Sequence, residues 1–586
     1  MTEASALEYD FVVIGGGTAG NVVAGRLAEN PTVRVLVIEA GDGDPNQIPE
    51  ITTPARAFQL RNSRYDWAYQ TTFVDKPDYE RIEKQNTRGK VLGGSSSLNY
   101  FTWLRGSNGT FDAWKGYGGD QWTWDTCKEY FEKPASYHDD HKMYDPVFSK
   151  IGQNGPLHVS HADLLPETES FRQALTKAWT GEGHIVREDI YDGEVHGLTH
   201  CISTVYGGVR SSSAVYVSGK DNIDFMFSSV ATKINFEGSE QDSGAAPVAA
   251  SVIVVDGSQR QQTVRVTKEV ILSAGVFETP KLLILSGIGP RRELTRHGLQ
   301  PVITSEHVGE HLLDHPILPH VFRLKDGVGL DHILLREGTH HNNAMARYEE
   351  SKTGPLASGL LEMVAFPRID ERLMQYEQYR KAKQENGDKD PFGPEGQPHF
   401  EIVFVPMFCD AFQWHFPIPP EGDWLTVIVD LLRPQSKEGY VRLNTTDPRE
   451  QPDINLNYFS NELDILALRE GVRYIDEILM EGGGMKDIIR EDYPWPMPRE
   501  SDEEMDRLVM DRAQTKYHPC GTARLSLDIL QGVVDSELRV HGATNLRIID
   551  ASVIPIIPDC RIQNTVYMIA EKGADMVKKC YPEWYD

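Results

Sequence analysis

Cysteine is scarce in this chain: six residues in 586, at positions 127, 201, 409, 520, 560 and 580, with no CxxC pair among them. Scattered thiols of this kind supply neither a metal ligand set nor a disulfide framework, so no metal is expected and the thiols read as reduced. Basic residues are few beside acidic ones, 59 against 87, and the resulting net charge of −28 argues against nucleic acid or an anionic membrane as partner. No apolar run approaches the roughly 20 residues of a membrane span. The start, MTEASALEYDFVVIGGG, shows neither a basic nor an apolar leader segment, so an intracellular, cytoplasmic location is expected. The Asn-X-Thr matches at Asn108 and Asn444 then read as chance. Internal repeats and long low-complexity tracts are absent as well.

Length is what the chain has in plenty, and 586 residues exceed what one hydrophobic core holds, so two domains are expected. The stretch YDFVVIGGGTAGNVVAGRLAENPTVRVLVIEAG opens with an apolar strand at 9–14, followed by Gly15, Gly17 and Gly20 in GxGxxG spacing and an amphipathic helix. A second strand, VRVLVIEA, ends in Glu39, 19 residues after the last glycine. The glycines give a tight turn, close backbone approach to a pyrophosphate and packing of helix on strand, while the helix N-terminus supplies amides and a positive dipole end. Glu39 is placed to accept hydrogen bonds from a ribose. Strand, glycines, helix, strand and acid in this order point to a dinucleotide, with NAD and FAD not yet separated.

Residues 89–105 read GKVLGGSSSLNYFTWLR and residues 274–290 read AGVFETPKLLILSGIGP. In the first, Gly93, Gly94 and Ser95 form a small-residue loop through which backbone amides can approach a diphosphate or flavin, and Asn99 adds an amide side chain. Both stretches resemble signatures of the glucose-methanol-choline (GMC) flavoprotein oxidoreductases, the second departing only at Val276, where a smaller or polar residue is usual. The pieces YDWAYQT, RSSSAVY, VGEHLLDHP, YHPCGTARL and LRIIDASVIP extend the resemblance over nearly the whole chain.

The resemblance implies an α/β fold: a Rossmann-type FAD-binding domain from 1–160, 205–315 and 525–586, and an inserted α+β substrate domain from 161–204 and 316–524 carrying an antiparallel sheet. It also implies that Thr18, Ala19, Glu39, Ala40, Trp67, Ser95, Asn99, Tyr100, Phe101, Thr102, Asp550 and Ala551 lie along FAD, with Val230 at the adenine. Some members tether the flavin through a histidine just before the Asn99 position. Leu98 stands there and has no nucleophilic nitrogen, so non-covalent FAD is expected. WLTVIVDLLRPQSKEGYVRLN, at 424–444, reads as two strands around a turn belonging to the antiparallel sheet. Residues 368–399 read as a solvated helix plus loop.

In YHPCGTARL the resemblance implies that His518 is the active-site histidine. Family members usually place a second histidine or an asparagine nine positions before the alanine of the last helix. In IPDCRIQNTVYMIAEKGAD, where Val566, Ile569 and Ala570 recur at helical spacing, nine positions before Ala570 stands Arg561. A guanidinium has no acceptor and does not deprotonate, so it cannot act as a base, but its fork of N–H donors fits a carboxylate bidentately. Left unpaired in a dry pocket its charge is costly, and a carboxylate substrate or the anionic reduced flavin would offset it. Formate is the carboxylate that can release a hydride from its carboxyl carbon. The His518 and Arg561 pair resembles that of formate oxidases, a small branch of the family.

That likeness implies hydride transfer from formate to flavin N5, carbon dioxide as product, and electrons passed to dioxygen to give hydrogen peroxide. In this reading Arg561 clamps the formate oxygens, and a protonated His518 stabilises developing negative charge. An 8-formyl-FAD is a further implication. An alcohol or aldehyde oxidase or dehydrogenase of the same fold is the alternative reading, and a hydroxynitrile lyase a more distant one.

Overall fold

The computed structural model describes residues 7–74, 82–139, 150–238, 246–413 and 416–585. Strand Leu7–Ile14 runs parallel to Val35–Ile38 on one side and to Gln261–Leu272 on the other. Ile223–Met226 extends the sheet beyond Val35–Ile38, and Leu546–Ile548 pairs in parallel with the end of Gln261–Leu272. The apolar run FVVI and all of VLVI are buried, as expected of parallel strands covered on both faces. Ser229–Glu237 and Val248–Asp256 add an antiparallel meander to the same sheet. Helix Thr18–Leu27 lies so close over its glycine turn that a Cβ on Gly20 would sit 1.9 Å from the Gly15 carbonyl oxygen.

The second large sheet is antiparallel. Its order is Ile489–Tyr493, Pro316–Leu324, Asp423–Leu431, Phe400–Val405, Met363–Phe366 and Gly197–His200, with the short strand Gln514–Thr515 also pairing Pro316–Leu324. Every residue of Asp423–Leu431 and of Phe400–Val405 is buried. Helix Glu462–Glu481 packs on this sheet through a long apolar face.

The expected two-strand unit at 424–444 divides between sheets. Asp423–Leu431 already has a partner on each edge, so Gly439–Arg442 cannot fold back onto it and instead pairs with Glu310–Leu312 and Asp453–Asn455 in a smaller sheet. The charged segment after 368 forms two short helices, Asp370–Leu373 and Glu377–Glu385. It is anchored to the core: Leu373 and Tyr379 are buried, the Tyr379 hydroxyl and Arg368 donate to Asp390, and Arg372 and Tyr376 donate to Glu470. No helix among the described residues is long and apolar enough to cross a membrane.

Candidate active site

One long cavity runs from the glycine turn of the parallel sheet to the face of the antiparallel sheet. Its walls include Gly15, Gly17, Thr18, Ala19, Glu39, Ala40, Trp67, Gly94, Ser95, Asn99, Tyr100, Phe101, Thr102, Val230, Asp550, Ala551, His518 and Arg561. Two expected cofactor contacts lie behind the wall. Gly20 serves helix packing, and Gly93, at φ +92°, faces the Ser97 hydroxyl, which a Cβ would approach to 2.2 Å.

The adenine-dinucleotide end is built for an anionic ligand. Helix Thr18–Leu27 starts at Gly17 with no side-chain cap and no acid in its first turn, so its leading amides are open to a diphosphate. Glu39 accepts from the backbone N–H of Gly16 at 2.9 Å and of Gly41 at 2.7 Å. Burial pushes its carboxyl up to about 7, against the pull of those two amides, and ribose hydroxyls would add donors that favour the charged form. Asp550 accepts from Gly275 N and Thr279 Oγ1, at 2.9 and 2.7 Å, and so ties helix Gly275–Leu285 to the C-terminal segment. The Asn99 amide is committed within the protein: Nδ2 donates to Gln563, and Oδ1 accepts from Phe101 N and Arg210. These features fit FAD.

At the other end, His518 is held by its backbone. Its N–H donates to Asp314 Oδ1 at 2.9 Å, and Tyr517 before it sits at φ +64°. The His518 Nδ1 lies 3.0 Å from the Nδ1 of buried His315, so one of the two carries the proton and the other accepts it. Nε2 is left as the atom available to the cavity. Burial holds the His518 imidazole well below its ordinary range, and His315, Lys516, Arg561 and Arg88 lower it further. In the absence of substrate this environment favours the neutral imidazole.

Arg561 precedes helix Gln563–Lys579, whose N-terminus bears neither a side-chain cap nor an acid in the first turn. It is 7% exposed and paired. Its Nε and Nη2 both lie 2.7 Å from Glu401 Oε1, and Nη1 donates to Thr102 Oγ1. The expectation that a substrate or the reduced flavin must offset its charge is therefore corrected, because Glu401 does so first. Burial alone would raise Glu401, but Arg561 and Lys516 outweigh it and hold the carboxyl below its ordinary value. These contacts use three of the five guanidinium N–H donors and leave two.

Glu401, Lys516, Asp430, His315 and Asp314 were not singled out as site residues from the sequence. Glu401 and Asp430 are cross-strand partners, and Val403 and Ile428, two residues away on the same strands, are partners as well and line the cavity. Two carboxylates directly opposite one another are unfavourable, and Lys516 lies between them, 4.0 Å from Glu401 and 3.5 Å from Asp430. For Glu401 and Asp430 the available signal was an acid inside an otherwise apolar strand sequence.

A parallel dinucleotide-binding sheet and an antiparallel sheet closing one cavity, with a histidine at its far end, define a flavin-dependent oxidoreductase of two sheets. The GMC oxidoreductase family models match residues 9–317 and 434–570, and the chain belongs to that family. Its cofactor is FAD. A crystal structure of a formate oxidase is 55% identical with a TM-score of 0.97, covering 99% of this chain and 100% of that one. A formate oxidase of Aspergillus oryzae, with an arginine changed to lysine to follow FAD modification, is 54% identical with the same TM-score and coverage. Pyranose dehydrogenase 3 of Leucoagaricus meleagris is 33% identical over 98% of this chain and 94% of its own length.

Glu39→Ala is expected to weaken FAD binding about tenfold, since it removes an acceptor for ribose and frees two backbone amides. Fluorescence of flavin released on dilution measures it, and an unchanged dissociation constant would show that Glu39 only supports the turn.

Proposed function

We propose that this protein oxidises formate to carbon dioxide and reduces dioxygen to hydrogen peroxide. The observation that carries the reading is a buried, permanently charged Arg561 with two uncommitted N–H donors on the cavity that His518 also lines. The high identity to a formate oxidase supports it. FAD, when bound, accepts the hydride and conveys two electrons to dioxygen.

The rest is the work of this chain's side chains. Arg561 binds the formate oxygens through its remaining donors and fixes the direction of the C–H bond. Glu401 and Thr102 hold the guanidinium from behind, so the fork keeps one orientation as substrate enters and leaves. Val403 and Ile428 supply apolar wall and exclude water. Neutral His518 can hold or give up a proton at Nε2 without adding a further positive charge beside Arg561 and Lys516. The FAD carries an oxidised C8 methyl in this reading, and the mass of flavin released from the protein checks it.

Anaerobic mixing with millimolar formate should bleach the flavin absorbance, and peroxide should form on readmitting air. Bleaching by an aryl or aliphatic alcohol, with none by formate, would instead make the protein an alcohol-oxidising member of the family.

A further inference from the structure

Behind His518 and Arg561 lies a second set of polar groups that hydride transfer from formate does not use. His315 Nε2, Lys516 Nζ, Glu401 Oε2 and both carboxylate oxygens of Asp430 are all buried and make no hydrogen bond among the described residues. Buried polar atoms without a hydrogen bond call for an explanation, and here five share one region. His315, Asp430 and His518 each offer an atom within 4.8 Å of the others. A metal ion is an unsuitable occupant, because the Lys516 ammonium already lies 3.5 Å from Asp430 Oδ2, with Arg561 beyond it.

We propose that Asp430 takes up a proton when the anionic substrate binds, and that His315 and His518 relay this proton to the oxygen being reduced. The proposal rests on the formate reading, whose balance demands it: formate anion, dioxygen and one proton give carbon dioxide and hydrogen peroxide. One peroxide hydrogen comes from the formate C–H bond with both electrons. The other must be delivered, since formate brings none at neutral pH.

Charge balance supplies the uptake. Asp430 is faced by Lys516, Glu401, Arg561 and Asp314, with the Tyr458 hydroxyl and the Cys560 thiol beyond them. Asp314 is set against Arg88; of the remaining groups Arg561 and Lys516 carry two positive charges, and Glu401 cancels one. Ionised Asp430 cancels the other, so an entering formate leaves a buried excess of negative charge unless one carboxylate is protonated. Asp430, already raised to about 7 by burial, is the one that yields. Glu401, held down by Arg561, stays ionised.

Delivery follows from the paired imidazoles. With His315 Nδ1–H donating to His518 Nδ1, His518 bears its proton on Nε2. When Nε2–H is given to oxygen, His518 Nδ1 takes the proton of His315, and His315 Nε2 takes one from the Asp430 and Lys516 region, where an Asp430 oxygen lies within 4.8 Å of a nitrogen of each imidazole. Both rings begin and end neutral, their tautomers exchanged. Neutral relays are what this site permits, since burial moves His315 down to about 3 and His518 lower than its ordinary range too.

The test uses the holoenzyme and nitrate, an unreactive anion, with an indicator dye in weak buffer. About one pH unit above the Asp430 value of about 7, uptake should approach one proton per bound nitrate, and it should fall about one unit below it. Asp430→Asn should bind nitrate with no uptake. Nitrate binding to the unaltered protein without proton uptake would overturn the proposal, while failure of both nitrate and formate to bind would overturn the formate reading itself. Independently of formate, dithionite-reduced His315→Asn enzyme should be reoxidised by dioxygen at least about tenfold more slowly, with a changed solvent isotope effect. Reoxidation at the unaltered rate, with flavin content and Tm preserved, would remove His315 from the path.

Discussion

Arg561→Ala is expected to lower kcat/KM for formate by about a thousandfold while FAD remains bound. The variant loses two charge-assisted hydrogen bonds to substrate, at about 1.5–3 kcal/mol each, and the aim of the C–H bond with them. It also leaves Glu401 in the interior with Lys516, at 4.0 Å, as its nearest cation. Removing one partner of a buried ion pair costs roughly 3–5 kcal/mol, so a fall in Tm is expected beside the kinetic loss. Arg561→Lys separates the two effects. An ammonium keeps the charge opposite Glu401 but cannot serve Glu401, Thr102 and a bidentate substrate together. Its stability should recover most of the loss, and formate turnover should not. Anaerobic reduction by formate, followed in single turnover, is the measurement; a lysine variant as fast as the unaltered protein would show that charge alone is used.

The difference between what could be read in advance and what could not lies in where the parts of the site sit along the chain. The dinucleotide end is made of contiguous stretches, glycines at a strand end and an acid after the next strand, and each stretch carries its reason locally. Arg561 was legible through the family resemblance, which places the second site residue nine positions before Ala570 of helix Gln563–Lys579. Its counter-ion was not. Glu401 stands in FEIVFV and Asp430 in DWLTVIVDL, on separate strands, and only the pairing of Phe400–Val405 with Asp423–Leu431 sets them opposite one another. Lys516 and His315 reach the same place because Gln514–Thr515 pairs with the start of Pro316–Leu324. Alternation would assign such charges to a solvent face, but both strands are buried throughout. A charge inside a doubly buried strand needs a buried partner, and which partner is a question of register that a single sequence leaves open. The same limit explains the misplaced pairing of 424–444, where strand content was legible and edge occupancy was not.

Glu401→Gln tests whether that hidden counter-ion sets the working charge of the site or merely steadies it. The amide oxygen can still accept from Arg561, and the NH2 group replaces Oε2, an atom that makes no hydrogen bond, so no existing hydrogen bond is lost. What changes is charge: one negative group leaves a cluster containing Arg561 and Lys516. At an effective dielectric of about 20, a unit charge roughly 7 Å from a bound anion contributes about 2.4 kcal/mol, so nitrate and formate should bind roughly fiftyfold more tightly. Tighter binding of the ground state does not by itself speed hydride transfer. The expected signature is thus a fallen KM with kcat unchanged or reduced, the opposite of the Arg561 variants. Were Glu401 only a structural brace, the glutamine variant would lose Tm and bind nitrate no better than the unaltered protein. Tighter nitrate binding would instead mean that Glu401 limits how strongly the site attracts an anion.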